Sequence, residues 1–336
     1  MTLACTADTP TACPAHTRLY RGGELVSEGF PVAEISDHLA EDDTVVWLDL
    51  EDPDQADLQV VVEELGLHPL AVEDAVNDRQ RPKVDRYTDH LFLNAYLVSF
   101  DTETGELHTG EIAAFVTERA LVTVRKDPEI EVEPLLAAWD ESRQDASAGV
   151  SFLLHGLLDR VVDSHFAVVQ DLDEAIDGLE ELLFDPAGRS AELQRRSFEL
   201  RKSLVQLRRV VLPMREVVNT LLRRDLGIVG ADMAPYYQDV YDHVLRASEW
   251  TESLRDLVST VLETNLTVQG NRLNETVRRL TAYAAILAVT TAITGFYGQN
   301  VPYPGFGETA GFLTSVAVLA LSVVGLYVLF KRKGYL

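Results

Sequence analysis

The chain has 336 residues, 46% hydrophobic and 25% charged, with 54 Asp and Glu against 29 Lys and Arg, a formal net charge of -25 at pH 7. So acidic a chain repels nucleic acid and anionic headgroups, which argues against either as a partner of its soluble part. Its two cysteines, Cys5 and Cys13, lack the further Cys or paired His that a disulfide framework or a thiolate zinc site needs.

Residues 1–17 lack the basic start and apolar run of a secretory signal and read as a loose tail. Residues 18–127 alternate short β-rich runs with polar or helical segments, an α/β pattern that places an acidic α/β cytoplasmic domain at 18–150. Strands are expected at 44–50, 91–100, 112–117 and 120–125, and a helix at 54–65 after Pro53. Residues 1–150 hold 32 Asp and Glu against 10 Lys and Arg, a net of -22. That charge would attract divalent cations, and it would equally serve to keep the domain soluble; composition does not choose between the two.

From residue 151 the strand signals vanish and apolar residues recur at helical spacing. Breaks at Asp185-Pro186 and at 227–234 divide the region into long helices. The first two, within 151–233, carry opposite charge: nine acidic and one basic residue over 159–185, nine basic and two acidic over 195–224. They are expected to form an antiparallel, salt-bridged hairpin, each exposed pair contributing at most about 1 kcal/mol. A third helix, the 234–279 stalk, starts near Pro235 and runs on through Gly270. Unbroken from 236 to 297 it would reach roughly 90 Å. Leu254, Leu257, Val258, Val261, Leu262 and Leu266 form an apolar stripe on it, most simply met by the same helix of a neighbouring subunit.

Two stretches, 280–307 and 309–330, are uncharged and separated by Glu308 alone. A bilayer core needs about 20 apolar helical residues, so each can span once. The expected segments are a first transmembrane helix at 280–300, a loop at 301–309, a second helix at 310–330 and a basic tail at 331–336. Arg272, Arg278 and Arg279 precede the first span and Lys331, Arg332 and Lys333 follow the second. Basic flanks stay in the cytoplasm, which places both termini inside a plasma membrane and the short turn outside.

One face of the first span is small or polar: Asn274, Val277, Thr281, Ala284, Ala288, Thr291, Gly295 and Gly298 at three- and four-residue steps. Such a face either packs closely against another membrane helix or lines a pore around a symmetry axis. The turn that follows, Tyr297-Gly298-Gln299-Asn300-Val301-Pro302, is uncharged and offers a backbone carbonyl at Gly298 and an amide oxygen at Asn300. Mg²⁺ sheds its inner waters reluctantly, so a neutral oxygen ring can hold the hydrated ion, although a Gly/Asn/Pro turn would also suit any hairpin.

Together these segments resemble the CorA family of magnesium channels over nearly the whole chain. The resemblance is carried by "HPLAVEDAVNDRQRPKVDRY" (68–87), "LPMREV" (212–217), "YYQDVYDH" (236–243), Asn274, the basic tail "KRKGYL" and Tyr297-Gly298-Gln299-Asn300, in which Gln299 replaces the family methionine. It implies a homopentameric funnel with an α/β cytoplasmic domain, long helices and five copies of the first span around a pore. Gly298, Gln299 and Asn300 would form the selectivity filter, and Asn274 a polar ring at the cytoplasmic mouth. Asp74 and Asp239, assisted by Glu73, would hold regulatory Mg²⁺ between subunits and keep the closed state. Where the family often has bulky gate side chains this chain has Val277, Leu280 and Ala288, leaving Leu280 as the strong constriction.

The implied function is passive entry of hydrated Mg²⁺, with Co²⁺ or Ni²⁺ as further cargo. The alternatives are a Zn²⁺ or Ni²⁺ transporter of the same fold, with or without proton coupling, and a membrane-tethered sensor or scaffold that transports nothing. No phosphate-binding Gly-rich loop with Lys and no nucleophile motif is found, so neither an enzyme nor an organic cofactor is expected. His155, His165 and His243 lack metal-ligand spacing.

Overall fold

A computed structural model of the chain describes residues 13–77, 80–128, 130–141, 147–184, 190–223, 226–299 and 301–336. Cys5, the Asp185-Pro186 break and Asn300 lie outside these. The chain divides into two compact units, Met1–Val261 and Leu262–Leu336.

The first unit is built on a seven-stranded sheet of order β2-β1-β3-β7-β6-β5-β4. The strands are β1 (Ala15–Arg21), β2 (Glu24–Glu28), β3 (Thr44–Glu51), β4 (Lys83–Arg86), β5 (Leu91–Asp101), β6 (Glu106–Val116) and β7 (Ala120–Arg125). β3 and β7 pair parallel, and every other neighbour pairs antiparallel. Alternate residues of each strand feed opposite faces. Trp47, Leu91, Leu93, Ala95, Ile112, Ala114 and Leu121 enter one core, while Val46, Leu48, Phe92, Ala113, Phe115 and Val122 enter the other.

The second of these cores is covered by α1 (Ile35–Leu39), α2 (Gln55–Leu65) and α3 (Pro69–Val76). Asp54 caps α2 by accepting from the Ala56 and Asp57 amides, while Asp57 reaches back to the Asp54 amide. Gly66 closes the helix in the left-handed conformation, which glycine adopts without a Cβ penalty. The first core is covered by α4 (Glu133–Glu141), α5 (Val150–Leu183), α6 (Ser190–Leu221) and the start of α7 (Ala234–Tyr297). Tyr237 of α7 is fully buried, and its hydroxyl donates to the Ser151 carbonyl of α5 at 2.9 Å.

Several expectations change here. The tail expected at 1–17 gives way to β1 at Ala15, and β6 begins at Glu106 rather than 112 because the strand runs on, half exposed, beyond its buried end. The expected α/β domain (18–150) and helical hairpin (151–233) share one core, so packing joins them in a single unit. Leu254, Val258 and Val261 are buried within the single chain, so half of the six-residue stalk stripe already has its partner; Leu262 is half-buried, and Leu257 and Leu266 stay exposed. α7 lies beside α5 through Phe166 and Trp250, and beside α6 through Arg208 and Glu252. The described ion pairs of Arg195 and Arg196 stay within α6, to Glu192 and Glu199. Leu204, Leu207, Val211, Met214 and Val218 bury the inner face of that helix.

In the second unit α7 continues to Tyr297 and α8 spans Thr309–Arg332. Both are long and apolar enough to cross a membrane. The Gly305 carbonyl presses against Gly311, where a Cβ would lie 2.1 Å from the oxygen, so the loop can close on α8 only over a glycine. Tyr303 packs edge-on against Tyr297 (5.2 Å between centroids) and Phe306 (5.3 Å). At the other end Phe330 stacks on Tyr335, whose ring lies 5.8 Å from the Arg278 guanidinium.

Candidate ion pathway and cation-sensing carboxylates

Along the membrane part of α7 the covered positions fall on one stripe. Ala282 is buried, and Ala285, Ile286, Val289, Thr290, Ile293 and Tyr297 are half-buried. A matching stripe on α8 runs through Gly311, Ser315, Leu319, Ser322, Val323 and Leu326. The residues read from the sequence as a possible pore wall lie off that stripe. Asn274, Val277, Leu280, Thr281, Ala284, Ala288, Thr291, Gly295, Gly298 and Gln299 are all exposed, Leu280 at 68%.

That face is smooth and weakly polar. The Thr281 hydroxyl donates to the Val277 carbonyl and the Thr291 hydroxyl to Leu287, both at 2.8 Å, so each leaves its lone pairs outward without unwinding the helix. At the outer end the Gly298 amide donates to the Thr294 carbonyl at 2.9 Å, extending the helical pattern one residue past Tyr297. A Cβ on Gly298 would lie 3.0 Å from that same carbonyl. The Asn300 expectation falls on a residue outside those described.

The expected sensing residues occupy two helices. Glu73 and Asp74 sit in the last turns of α3, and Asp239 in the second turn of α7. α3 is opened by His68, whose Nδ1 accepts from the Leu70 amide at 3.2 Å, with Pro69 in the first turn, where its missing N–H costs no hydrogen bond. His68 stacks on Tyr87 (4.7 Å) and Tyr87 on His90 (4.9 Å), which ties α3 to the turn between β4 and β5.

Glu73 is exposed. Asp239 is 69% exposed, with His243 Nδ1 3.3 Å from one of its oxygens. Asp74 is half-buried, and Lys83 of β4 donates to its Oδ2 at 2.6 Å and to Asp85 Oδ2 at 2.8 Å. Burial disfavours the Lys83 charge, but the bonds from Asp74 and then Asp85 outweigh it and raise the lysine above its ordinary pKa. Lys83 lies inside the 68–87 motif, nine residues beyond Asp74, a spacing that carries no signal in the sequence.

Among the described residues, no group of three or more His, Cys, Asp or Glu side chains gathers to hold a metal ion, so one chain does not bring Glu73, Asp74 and Asp239 together. Mg²⁺ does not require such a cage, since it keeps several waters and is held by one or two carboxylates. The exposed carboxylates of Asp239 and Glu73 and the half-buried carboxylate of Asp74 fit that donor chemistry, with a second chain supplying the other half.

The sequence profile of the family described as "CorA-like Mg2+ transporter protein" matches residues 42–332. The chain is 30% identical to the cobalt/magnesium transport protein CorA of Thermotoga maritima, over 87% of this chain and 84% of that one. It is 23% identical to the cobalt/magnesium transport protein CorA of Methanocaldococcus jannaschii, over 88% and 93% of the two chains. The complete structure of the CorA magnesium transporter from M. jannaschii superposes with a TM-score of 0.76 over 96% of this chain and 98% of that one, at 20% identity, which speaks to the fold. A profile match across 291 residues, the α/β unit running into a long helix and the two apolar C-terminal helices place this chain in the CorA-like Mg²⁺ transporter family, a family of membrane transporters and not of enzymes.

Proposed function

We propose that the chain forms a homopentameric channel for the passive, potential-driven uptake of hydrated Mg²⁺, with Co²⁺ or Ni²⁺ as secondary cargo, and that intracellular Mg²⁺ closes it. One observation carries the reading: the small, weakly polar face from Asn274 to Gly298 is left exposed by the hairpin. A lipid-facing surface would be covered by large apolar side chains, whereas a face of Ala, Thr and Gly around a shared axis leaves room for an ion with its water shell. Leu280 is the largest side chain of the set and would narrow the conduit near its cytoplasmic end. The Gly298 carbonyl and the Asn300 amide would supply the outer ring of neutral oxygens, with Gln299 beside them.

The driving force is sufficient without ATP, since each charge crossing 100 mV gains about 2.3 kcal/mol and Mg²⁺ carries two. For regulation, Asp74 and Glu73 of one copy would face Asp239 of the next. Mg²⁺ held there supplies positive charge that offsets the repulsion of the carboxylates, and these side chains position it through α3 and α7.

The test is ion-resolved uptake by the purified protein in proteoliposomes. Mg²⁺ flux that follows an imposed voltage and is lost in Asn300→Ala supports the channel. Flux of Zn²⁺ or Ni²⁺ that follows a pH gradient assigns proton-coupled transport instead, and no flux of any divalent ion leaves a sensor without transport. Asp239→Ala should weaken the protection from proteolysis that millimolar Mg²⁺ gives the wild type.

A further inference from the structure

Lys83 joins the two carboxylates Asp74 and Asp85, and its ammonium also lies 5.6 Å from the Phe92 ring centre. The lysine is anchored by the strand that carries it, since β4 pairs with β5 in the register Lys83↔Asn94. The Lys83 and Asp74 side chains retain 30% and 26% of their exposure, so water and ions reach the pair. A bonded ammonium on Asp74 is an odd neighbour for a carboxylate expected to bind a cation. A divalent ion approaching Asp74 must either sit close to a like charge or displace the ammonium, and Asp85, with its carboxylate 43% exposed, is where the displaced ammonium can remain bonded.

We infer that Lys83 is a tethered counterion that competes with Mg²⁺ for Asp74 and thereby raises the Mg²⁺ concentration at which the sensor responds. The inference rests on the sensing role of Asp74 proposed above. It gives the geometry a purpose: in the absence of the ion, Lys83 neutralises half of a carboxylate pair on the sensing edge of the sheet, and the ion must overcome that bond. The sensor is thereby detuned from the trace range towards the concentration of a major intracellular ion.

The experiment is limited proteolysis of the full-length protein in detergent across a series of MgCl₂ concentrations. Lys83→Met should reach half-protection at about fivefold lower Mg²⁺ than wild type, the scale set by one partly exposed ion pair. Lys83→Arg, which keeps the charge, should stay within about twofold of wild type. Lys83→Gln provides the same measurement should the methionine unsettle β4. Arg21→Gln makes the same change in net charge on β1, towards the other edge of the sheet, and should shift the midpoint far less. An unchanged or raised midpoint in both neutral Lys83 variants overturns the inference, as does an equal shift in Arg21→Gln. If wild type shows no protection, or Asp239→Ala is protected like wild type, the sensing role itself fails and the Lys83 inference falls with it.

Discussion

His165 should make the first unit acid-sensitive, and the size of the effect follows from its surroundings. It lies on α5 with no exposed surface, its Nε2 2.8 Å from the Tyr96 carbonyl of β5, and its buried Nδ1 has no partner among the described residues. Burial lowers its pKa from 6.5 to about 4, partly opposed by the bond to Tyr96. Because the folded value lies below the unfolded one, the unfolded chain takes up a proton that the folded chain refuses. Stability is therefore lost as pH falls from about 6.5 towards 4 and changes little outside that window. At pH 5 the linkage amounts to about 2 kcal/mol, or about 4 °C in Tm for a unit of this size. Melting of the full-length protein at pH 7 and pH 5 should show this loss on top of whatever His165→Gln shows, since all other groups are common to both. Equal losses in the two proteins would mean that His165 is solvated or already charged in the native state, and the seam between α5 and β5 would need another explanation.

Two further outcomes follow from named contacts. Asp49 and Arg125 are both buried and lie 2.8 Å apart, with Thr123 donating to Asp49 at 2.6 Å; Asp49→Ala leaves the guanidinium only the half-buried Glu51 carboxylate at 3.2 Å and the Ile130 carbonyl, and should cost about 2–3 kcal/mol. The double substitution Asp49→Leu, Arg125→Met should recover most of that loss in a melting experiment. Gly298→Ala brings a Cβ within 3.0 Å of the Thr294 carbonyl and must shift the end of α7; Mg²⁺ uptake should fall at least tenfold while the oligomer still elutes like wild type. Normal uptake in Gly298→Ala would remove the glycine from the filter.

The parts of the fold that were legible in the sequence are those where one period dominates. β3, β5 and β7 stand close to where alternation put them, and α2 follows Pro53 with Asp54 as its cap. β1, β2 and β4 were not legible. β2 and β4 are short outer strands with no fully buried residue, and β1 buries residues on both sides of its central stretch, so no clean two-residue period shows. The stalk stripe was legible as apolar, but periodicity does not say whether its partner lies on the same chain, and Leu254 and Val258 found theirs at home. The carboxylates of the proposed sensing site, Glu73, Asp74 and Asp239, are named by the resemblance alone. Lys83 was not legible, because a lysine nine residues from an aspartate signals nothing until a helix and an edge strand bring them together.

The same pairing explains how the acidity of the first 150 residues can bear on assembly. Among the described residues, at least six of the basic side chains there already have partners within the chain: Arg18 with Glu28 and Asp140, Arg21 with Glu41, Lys83 with Asp74 and Asp85, Arg125 with Asp49 and Glu51, Lys126 with Glu111, and Arg119 with the Leu39 and Glu41 carbonyls. These cations tie strands to one another and to their own helices and loops, and are already engaged within the chain. Copies gathered around an axis, as proposed, would bring together domains each carrying a net charge of -22. At physiological salt that repulsion is screened over about 8 Å, so it acts where surfaces nearly touch, and there mobile cations must supply the neutralisation. A divalent ion does so with half the number of bound particles and can join carboxylates from two chains, which a monovalent ion does far less well. Closure of the channel would then be tied to the abundance of divalent cations by the composition of the domain, and the Lys83 bond would set the concentration at which the tie takes hold.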